Sequence, residues 1–312
     1  MSRTRIKTTF GEAVAHVVPL VGLWRRNDDV ELEARFGIYT YTGGGGTNGV
    51  VFDSNVGEPF QNHVLRRLDE FQGWDRVDDF YDIDDYFFAF AHASLNDGRA
   101  CTVRTRTYVD VASKQWTIEH TVKSQRVNES VVVRPYVNVD TEMFLDGGGH
   151  GGHGGHGGHG GHTNNHFNAN NYKDIRVSAK SEQQIGAASA DDLFRNVIVR
   201  PTHVRLQQRK TYVHGAWAYS VSRVWNAPSR EGAEISQRVD RPRYEIECEY
   251  TGARASAHGA PGPSDGFLAL SMLMKLDDFQ GDGGGRDVAK VYRFEAQPPL
   301  PLPLPLPPLQ PK

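Results

Sequence analysis

The feature that most constrains this chain is a pair of segments in which glutamate occupies every second position. Glu31-Leu32-Glu33 lies early in the chain, and Glu245-Ile246-Glu247-Cys248-Glu249 lies late. In a β-strand, side chains two residues apart point to the same face and lie about 6.6 Å apart, from a rise of about 3.3 Å per residue. Carboxylates at that spacing repel one another unless water screens them or a cation lies between them. The segments therefore predict two strands with a purely acidic face, and hard oxygen ligands of this kind suit Mg²⁺ or Mn²⁺.

Other predicted strands carry the opposite charge in the same alternation. Arginine and lysine occupy strand faces at four sets of positions, namely Arg104 with Arg106, Lys123, Arg176 with Lys180, and Arg205 with Arg209. A divalent metal bound by carboxylates and surrounded by arginine and lysine is suited to binding a polyphosphate. The metal binds some phosphate oxygens, and the cations neutralise the remaining phosphate charge. The alternation alone leaves open whether these charged faces point out to water or into a barrel.

The periodicity along the whole chain predicts a mainly β (α+β) domain with mostly antiparallel strands. Strand-like segments cover 30–36, 99–111, 115–126, 130–139, 174–180, 197–212, 216–225 and 243–250. Helical periods cover 59–74 and a segment that starts after Ser264, a predicted N-cap. A third helix in the first 28 residues is expected to break at Pro19.

Two low-complexity tracts account for much of the unusual composition. Eleven of the 33 glycines lie within 147–161, and eight of the 16 prolines lie within 298–311. Without them the composition is that of an ordinary folded protein, which excludes a collagen, a disordered chain and a disulfide scaffold. We expect 147–166 to be a flexible loop insertion, and adventitious metal binding by its histidines is a weaker interpretation. We expect 298–312 to be a disordered tail. Residues 1–297 then form one domain.

Charge, cysteine content and hydropathy exclude further classes. The formal net charge is −3, whereas a protein that coats nucleic acid over its whole surface is usually basic, so an anionic partner must be met at a local site. Two cysteines cannot form a four-cysteine metal site and indicate a reducing compartment. The apolar stretch 14–23 is too short to span a membrane, and the signal-peptide pattern is absent from this sequence.

Several segments together resemble one family. ELEARFG (Glu31–Gly37) resembles the first glutamate strand of the triphosphate tunnel metalloenzymes, and most of all the metal-dependent RNA 5′-triphosphatases of mRNA capping in fungi and large DNA viruses. YEIECEY (Tyr244–Tyr250) resembles their closing glutamate strand, and DIRVSAKSE (Asp174–Glu182) resembles a middle element. VRLQQRKTY (Val204–Tyr212) is similar to their R-x-K-x-R strand, and WAYSVSRV (Trp217–Val224) to the strand after it.

The resemblance implies a closed eight-stranded antiparallel β-barrel with inward charges and flanking helices. It implies removal of the γ-phosphate from 5′-triphosphate RNA with Mg²⁺ or Mn²⁺. By this resemblance the metal ligands would be Glu31, Glu33, Glu245, Glu247 and Glu249. The catalytic residues would be Glu182, which orients the attacking water, with Arg176, Arg205, Arg209 and Lys123 on the phosphates. Arg35, Arg104, Arg106 and Lys180 would bind the substrate.

The chain departs from the family pattern at two positions. Gln207 stands where the family usually has lysine, and Ser220 stands where it usually has aspartate. Lys210 lies on the opposite strand face and would replace the missing cation only if a bulge shifted the register. Loss of one charged contact to a transition state costs about 10²–10³ in rate, so slow catalysis or a different substrate is expected.

Three other interpretations stay open at this point. The first is a tunnel phosphatase for free NTP or inorganic triphosphate, and the second is a catalytically weakened tunnel that binds RNA ends or a capping partner. The third is an unrelated barrel with charges facing solvent. Lys275-Leu276-Asp277-Asp278 lacks the glycine of a guanylyltransferase nucleophile motif, so a separate guanylyltransferase is the expected partner, and a homodimer is left open. We expect no membrane association and an intracellular location, in the nucleus or cytoplasm of a eukaryotic host or with a virion.

Overall fold

The computed structural model describes residues 10–42, 49–91, 100–136, 173–195, 200–254, 262–280 and 291–296. The glycine/histidine segment 147–166 and the tail 298–312 lie outside these residues. Their predicted character, and the single domain over 1–297, therefore stay predictions.

Ten strands and five helices lie in the described part of the chain. The strands are β1 Val30–Thr42, β2 Gly49–Asp53, β3 Arg76–Ala91, β4 Ala100–Val109, β5 Trp116–Tyr136, β6 Asp174–Ile185, β7 His203–His214, β8 Trp217–Ala227, β9 Arg243–Tyr250 and β10 Val291–Ala296. The helices are α1 Phe10–Arg26, α2 Glu58–Glu70, α3 Ala187–Phe194, α4 Arg230–Arg238 and α5 Asp265–Asp277.

Eight of the strands close into a barrel. Their order around the barrel is β1, β6, β5, β4, β3, β7, β8, β9 and back to β1, and every neighbouring pair is antiparallel. β2 pairs with the second half of β1, and β10 pairs with the second half of β5. The predicted fold class, a closed eight-stranded antiparallel barrel with flanking helices, is confirmed.

The apolar face of the strands points outward and is covered by helices. On β1, Leu32, Ala34 and Phe36 are fully buried in one core with residues of α1, α2 and α5. On β9, Ile246 and Cys248 belong to the same core. Because strand side chains alternate, the glutamates between these residues must point into the barrel. This placement answers the question that the alternation had left open.

Pro19 does not break the first helix, contrary to the sequence expectation. α1 runs without interruption from Phe10 to Arg26 with Pro19 inside it. Pro19 is exposed, whereas Val17, Leu20 and Trp24 on the opposite side of the helix are buried in the core. Burying side chains of this size stabilises by roughly 1.5–3 kcal/mol each, which offsets the loss of one backbone hydrogen bond. The predicted start of α5 is confirmed, because the Ser264 hydroxyl accepts a hydrogen bond from the Phe267 amide at 3.2 Å.

The strands differ from the sequence prediction in several places, among them β2, which was also omitted, and three further strands that line the barrel interior. β3, which the sequence prediction omitted, is 16 residues long and contains five aspartates, a residue type depleted in strands. The segments 115–126 and 130–139 belong to one strand, β5, whose pairing with β6 shifts register between Lys123 and Asn128. β6 continues past Lys180 to Ile185, so Glu182 lies on a strand.

Within the described residues, no helix is both long and apolar enough to cross a lipid bilayer. Cys101 and Cys248 are buried and form no disulfide.

Candidate active site

A charged tunnel of about 90 Å³ runs inside the barrel. Its small volume follows from the many ion pairs between its own side chains. Residues of seven barrel strands line it. The predicted site residues that it brings together are Glu31, Glu33, Arg35, Arg104, Arg106, Lys123, Glu182, Arg205, Arg209, Glu247 and Glu249, and Asp85 and Phe87 complete the lining.

Three predicted residues lie beside this lining rather than in it. The Lys180 ammonium donates to a carboxylate oxygen of Glu33 at 2.7 Å. Glu245 accepts hydrogen bonds from the Arg205 guanidinium at 2.6 Å and from the Ser54 hydroxyl at 3.2 Å. The Arg176 guanidinium lies 4.6 Å from the ring centroid of Phe52. The register partner of Arg176 on β1 is another cation, Arg35. No carboxylate of the described residues forms an ion pair with Arg176.

Glu31 and Glu249 are the acidic groups that remain uncompensated. Burial, followed by the charges of Glu182 and Glu249, raises the pKa of Glu31 to about 8. Burial, followed by the charges of Glu247 and Glu33, raises the pKa of Glu249 to about 7. In the described part of the chain, neither carboxylate has a hydrogen-bond donor or ion-pair partner. Ionising both carboxylates where β1 and β9 meet is therefore unfavourable, and the pair is only partly ionised at neutral pH unless a cation binds.

Glu33 and Glu247 lie next to this pair but are neutralised by cations. The Arg35 guanidinium lies 3.0 Å from Glu33 and 2.8 Å from Glu247. Burial alone would raise the pKa of Glu33, but the charges of Arg35 and Lys180 hold it well below its usual value. Burial also opposes ionisation of Glu247, and Arg35 and Arg209 outweigh it and lower the pKa to about 2. Arg35 therefore joins both glutamate strands.

Two glutamates of this region keep carboxylate oxygens that pair with no cation of the described residues. No three carboxylate, histidine or cysteine side chains among the described residues are arranged to hold a metal ion together. Glu33 and Glu247 are engaged by cations, and Glu245 by Arg205. Only Glu31 and Glu249 offer unpaired carboxylate oxygens, and a bound cation would remove the repulsion that raises their pKa values.

Glu182 is an ionised carboxylate held by two cations. Lys123 donates a short hydrogen bond to one of its oxygens, and the Arg104 guanidinium donates to the other at 3.2 Å. Burial would raise the pKa of Glu182, but the charges of Lys123 and Arg104 outweigh it and lower the pKa. Such a carboxylate accepts hydrogen bonds and has a fixed orientation, which suits a group that positions a water molecule.

Asp85 is a tunnel residue that the sequence prediction missed. Its side chain is almost fully buried and accepts hydrogen bonds from the Arg106 guanidinium at 2.7 and 3.0 Å. The Gln207 amide donates to the same carboxylate at 2.5 Å. β3 contains four further aspartates, so the sequence does not distinguish Asp85 from them. The apolar residues two positions to either side, Ile83 and Phe87, are the signal that marks its strand face.

Gln207 is a hydrogen-bonding centre rather than a simple loss of charge. Its carbonyl oxygen accepts from the Arg205 guanidinium at 3.3 Å and from the Arg209 guanidinium at 3.2 Å. Lys210 does not reach the tunnel, because it lies outside the barrel 2.9 Å from Asp69. Ser220 is in register with Glu247 on the neighbouring strand and supplies no charge there.

Comparisons with known proteins give similarity of structure alone. No protein family model matches the chain, and neither does any curated protein sequence. The triphosphatase of the mimivirus capping enzyme is 11% identical with a TM-score of 0.48, over 89% of this chain and 100% of that one. The Pct1 RNA triphosphatase of S. pombe, solved in complex with the Spt5 CTD, is 14% identical with a TM-score of 0.48, over 88% of this chain and 94% of that one.

The chain is similar to solved RNA triphosphatases. With identities of 14% or less and TM-scores below 0.5, this similarity assigns no activity to the protein. Any function must be argued from the side chains of its own tunnel.

Proposed function

We propose that the protein is a metal-dependent phosphohydrolase that converts 5′-triphosphate RNA to 5′-diphosphate RNA, as in the first step of mRNA capping. The observation that carries the proposal is the segregation of charge inside the tunnel. An uncompensated carboxylate pair, Glu31 and Glu249, faces a set of arginines and a lysine in one enclosed space. A metal-bound polyphosphate is the ligand class that satisfies both halves at once.

Unused donor atoms on the basic side support phosphate binding. The Nε atoms of Arg104, Arg176 and Arg205 are buried and have no hydrogen-bond partner. A buried donor without a partner costs roughly 1–3 kcal/mol, which a phosphate oxygen would recover. Arg106 is different, because Asp85 already accepts two of its hydrogen bonds. Of these three arginines, Arg104 and Arg205 line the tunnel, so we assign phosphate contact first to them and a supporting position to Arg106.

The proposed reaction uses these groups in fixed positions. Glu182, oriented by Lys123 and Arg104, accepts a hydrogen bond from the water that attacks the γ-phosphorus. The bond from that phosphorus to its bridging oxygen breaks, and Arg205 and Arg209 neutralise the charge that develops on the departing diphosphate. Glu31 and Glu249, joined by Glu33 and Glu247 where their arginine contacts loosen, would hold Mg²⁺ or Mn²⁺. A bound ion of this kind supplies Lewis-acid polarisation of phosphate oxygens.

Free NTP and inorganic triphosphate are the competing substrates, because every group named so far would contact phosphate alone. The neutral Gln207 and Ser220 favour a further candidate, a weakened tunnel that binds RNA ends without turnover. We also propose a separate guanylyltransferase as the enzyme that uses the diphosphate end. A reducing, intracellular location is supported by the buried free thiols of Cys101 and Cys248.

Release of labelled γ-phosphate tests the function. We expect release from triphosphate-ended RNA with Mg²⁺ or Mn²⁺ and none with EDTA. Glu33→Ala and Glu247→Ala should each lower the rate at least about 100-fold, since each removes a charged contact in the site. Glu70→Ala, at an exposed position on α2, is the matched control and should retain the rate. Equal release by wild type and both tunnel variants would sink the enzymatic proposal, and binding without release from any triphosphate would favour the RNA-end binding module.

A further inference from the structure

A second cavity of about 280 Å³ opens at the end of the barrel where β3 and β5 begin and β4 ends. Two half-buried tyrosines, Tyr81 and Tyr108, form its aromatic wall, and the fully buried Ile83 also lines it. We call it the tyrosine cavity. None of the roles assigned above uses it, apart from that of Arg106.

The tyrosine cavity lies next to the tunnel, and one side chain lines both spaces. Arg106 lines both spaces, and Asp85 holds its guanidinium in place at 2.7 and 3.0 Å. A ligand whose phosphates lie among the tunnel cations would therefore have its next chemical group at or near the tyrosine cavity. In a triphosphate-ended RNA or a free NTP, that group is a nucleoside. Inorganic triphosphate has no such group.

The charges around the tyrosine cavity disfavour another phosphate there. Asp78, Asp110 and Glu119 all line it, and Arg76 is paired with Asp78 at 3.2 Å. A neutral group with hydrogen-bond donors suits such a wall better than an anion. The tunnel lining differs in this respect, because it contains six cations beside its six carboxylates, and the proposed phosphate position lies at those cations.

The aromatic wall suits a flat ring. The ring centroids of Tyr81 and Tyr108 lie 6.4 Å apart, and their planes are tilted by 52°. The Tyr108 hydroxyl donates to Glu119 at 2.7 Å, which fixes this ring and leaves the second carboxylate oxygen of Glu119 as an acceptor. Nucleobases stack on aromatic side chains without strong sequence preference, because every base has a π-face.

We propose that the tyrosine cavity binds the first nucleoside of a triphosphate-ended substrate, with its base against Tyr81 and Tyr108. This inference rests on the proposed function and narrows it. It assigns the protein to nucleoside-bearing triphosphates rather than to inorganic triphosphate, and it gives the barrel a direction. The phosphates point into the tunnel, and the RNA chain leaves past the turn between β4 and β5.

The test compares two ligands in one set of variants. Affinity is measured by fluorescence polarisation of a labelled 5′-triphosphate RNA, and by its displacement with unlabelled RNA or inorganic triphosphate. Phosphate release from both ligands is measured in parallel. The variants are Tyr81→Ala, Tyr108→Ala and their combination. Tyr86→Ala, on β3 but on the outer face of the barrel near Arg230, is the matched control, and thermal unfolding checks that each variant folds.

Loss of a stacking side chain lowers affinity by about fivefold to more than 100-fold per base. We expect the preference for RNA over inorganic triphosphate to fall at least fivefold in each tyrosine variant and to stay unchanged in Tyr86→Ala. Equal losses for both ligands, or no loss for RNA, would overturn the proposal. If the wild-type protein hydrolyses inorganic triphosphate, and a nucleoside on the triphosphate raises neither affinity nor rate, only this inference is overturned. Wild type that neither binds nor hydrolyses any triphosphate overturns the proposed function as well.

Discussion

Gln207 shows how one neutral residue can organise a charged interior. Its amide contacts Asp85, Arg205 and Arg209, which come from two strands and carry opposite charges. A lysine at this position would offer no acceptor to either arginine. Gln207 therefore holds two arginines relative to each other, which a lysine could not do.

We predict that Gln207→Leu destabilises the fold by about 1–3 kcal/mol, because buried donors and acceptors lose their partner. The measurement is the free energy of unfolding from urea denaturation. Gln183→Leu on β6, an exposed position, is the control and should stay within about 0.5 kcal/mol of wild type. A Gln207→Leu variant as stable as this control would show that the amide contacts are dispensable.

The ion pair between Asp85 and Arg106 predicts a pH dependence. Burial would raise the pKa of Asp85, but the hydrogen bonds and charge of Arg106 outweigh it and hold the pKa below 3.8. Since the native pKa is depressed, the stabilising contribution is complete above the unfolded pKa and is lost as the pH falls through the native one.

Asp85→Asn should therefore lower the free energy of unfolding by about 3–5 kcal/mol at pH 7. The difference in this free energy between the variant and wild type should shrink below about pH 4. Urea denaturation of both proteins at pH 7, 5 and 3 measures the free energy of unfolding. A difference that stays constant down to pH 3 would contradict an ionised Asp85 in the native protein.

At the scale of elements, the pairing of β1 with β9 brings the glutamates of the two strands close together. Register pairing places Glu33 opposite Glu249 and Arg35 opposite Glu247. Arg35 compensates one end of this contact, while Glu31 and Glu249 lie at the other end and form no ion pair with a cation of the described residues. The strand pair is thus destabilised locally unless a ligand neutralises it.

We predict that Mn²⁺ raises the Tm of the protein through this strand pair. An ion at about 100 times its Kd stabilises the folded protein by about 2.7 kcal/mol, which at this chain length corresponds to a Tm rise of roughly 4–5 °C. Glu31→Gln at pH 8 should raise the Tm without metal, because repulsion is relieved, and should lose most of the response to Mn²⁺. Differential scanning calorimetry measures both, with Glu70→Gln as control. A Glu31→Gln variant that responds to Mn²⁺ like wild type would place the ion elsewhere.

At the scale of the whole molecule, the near-neutral charge conceals a strong internal separation. The 35 basic and 38 acidic residues leave a formal net charge of −3, yet the tunnel contains acidic and basic regions of its own. The place that we propose for an anionic substrate is accordingly the interior of the barrel rather than its surface. The two low-complexity tracts have no part in this interior as we propose it.

Deleting 298–312 and replacing 147–166 with a short glycine/serine linker should leave phosphate release and RNA affinity within about twofold of wild type. Long surface insertions contribute little to a packed domain, and shortening a loop changes its closure entropy only slowly. Steady-state kinetics of the two deletions, singly and together, measure this. A loss of more than tenfold in a folded variant would give one of the tracts a direct role.

The predictability of the fold followed the strength of each local signal. β7, β8 and β9 were predicted because alternation there is clean, and α5 because an N-cap serine precedes an apolar run. β3 was not predicted, since its aspartates point to both faces and lower its strand propensity. The site was predicted as a set of residue types, while Asp85 and the bridging position of Gln207 were not. The partners of Asp85, Arg106 and Gln207, lie 21 and 122 residues away in sequence, and Gln207 joins Asp85 to two arginines of its own strand.

The sequence by itself determined that several strands must keep a wholly charged face apart from a wholly apolar one, because a period of two places like residues on one side. Only the tertiary structure decided that the charged faces point inward. The helices cover the apolar faces from outside, and pairing of β1 with both β6 and β9 closes the sheet around the charges. Closure also decided which carboxylates are neutralised and which are not. That outcome depends on distances between groups far apart in the chain, which no local pattern contains.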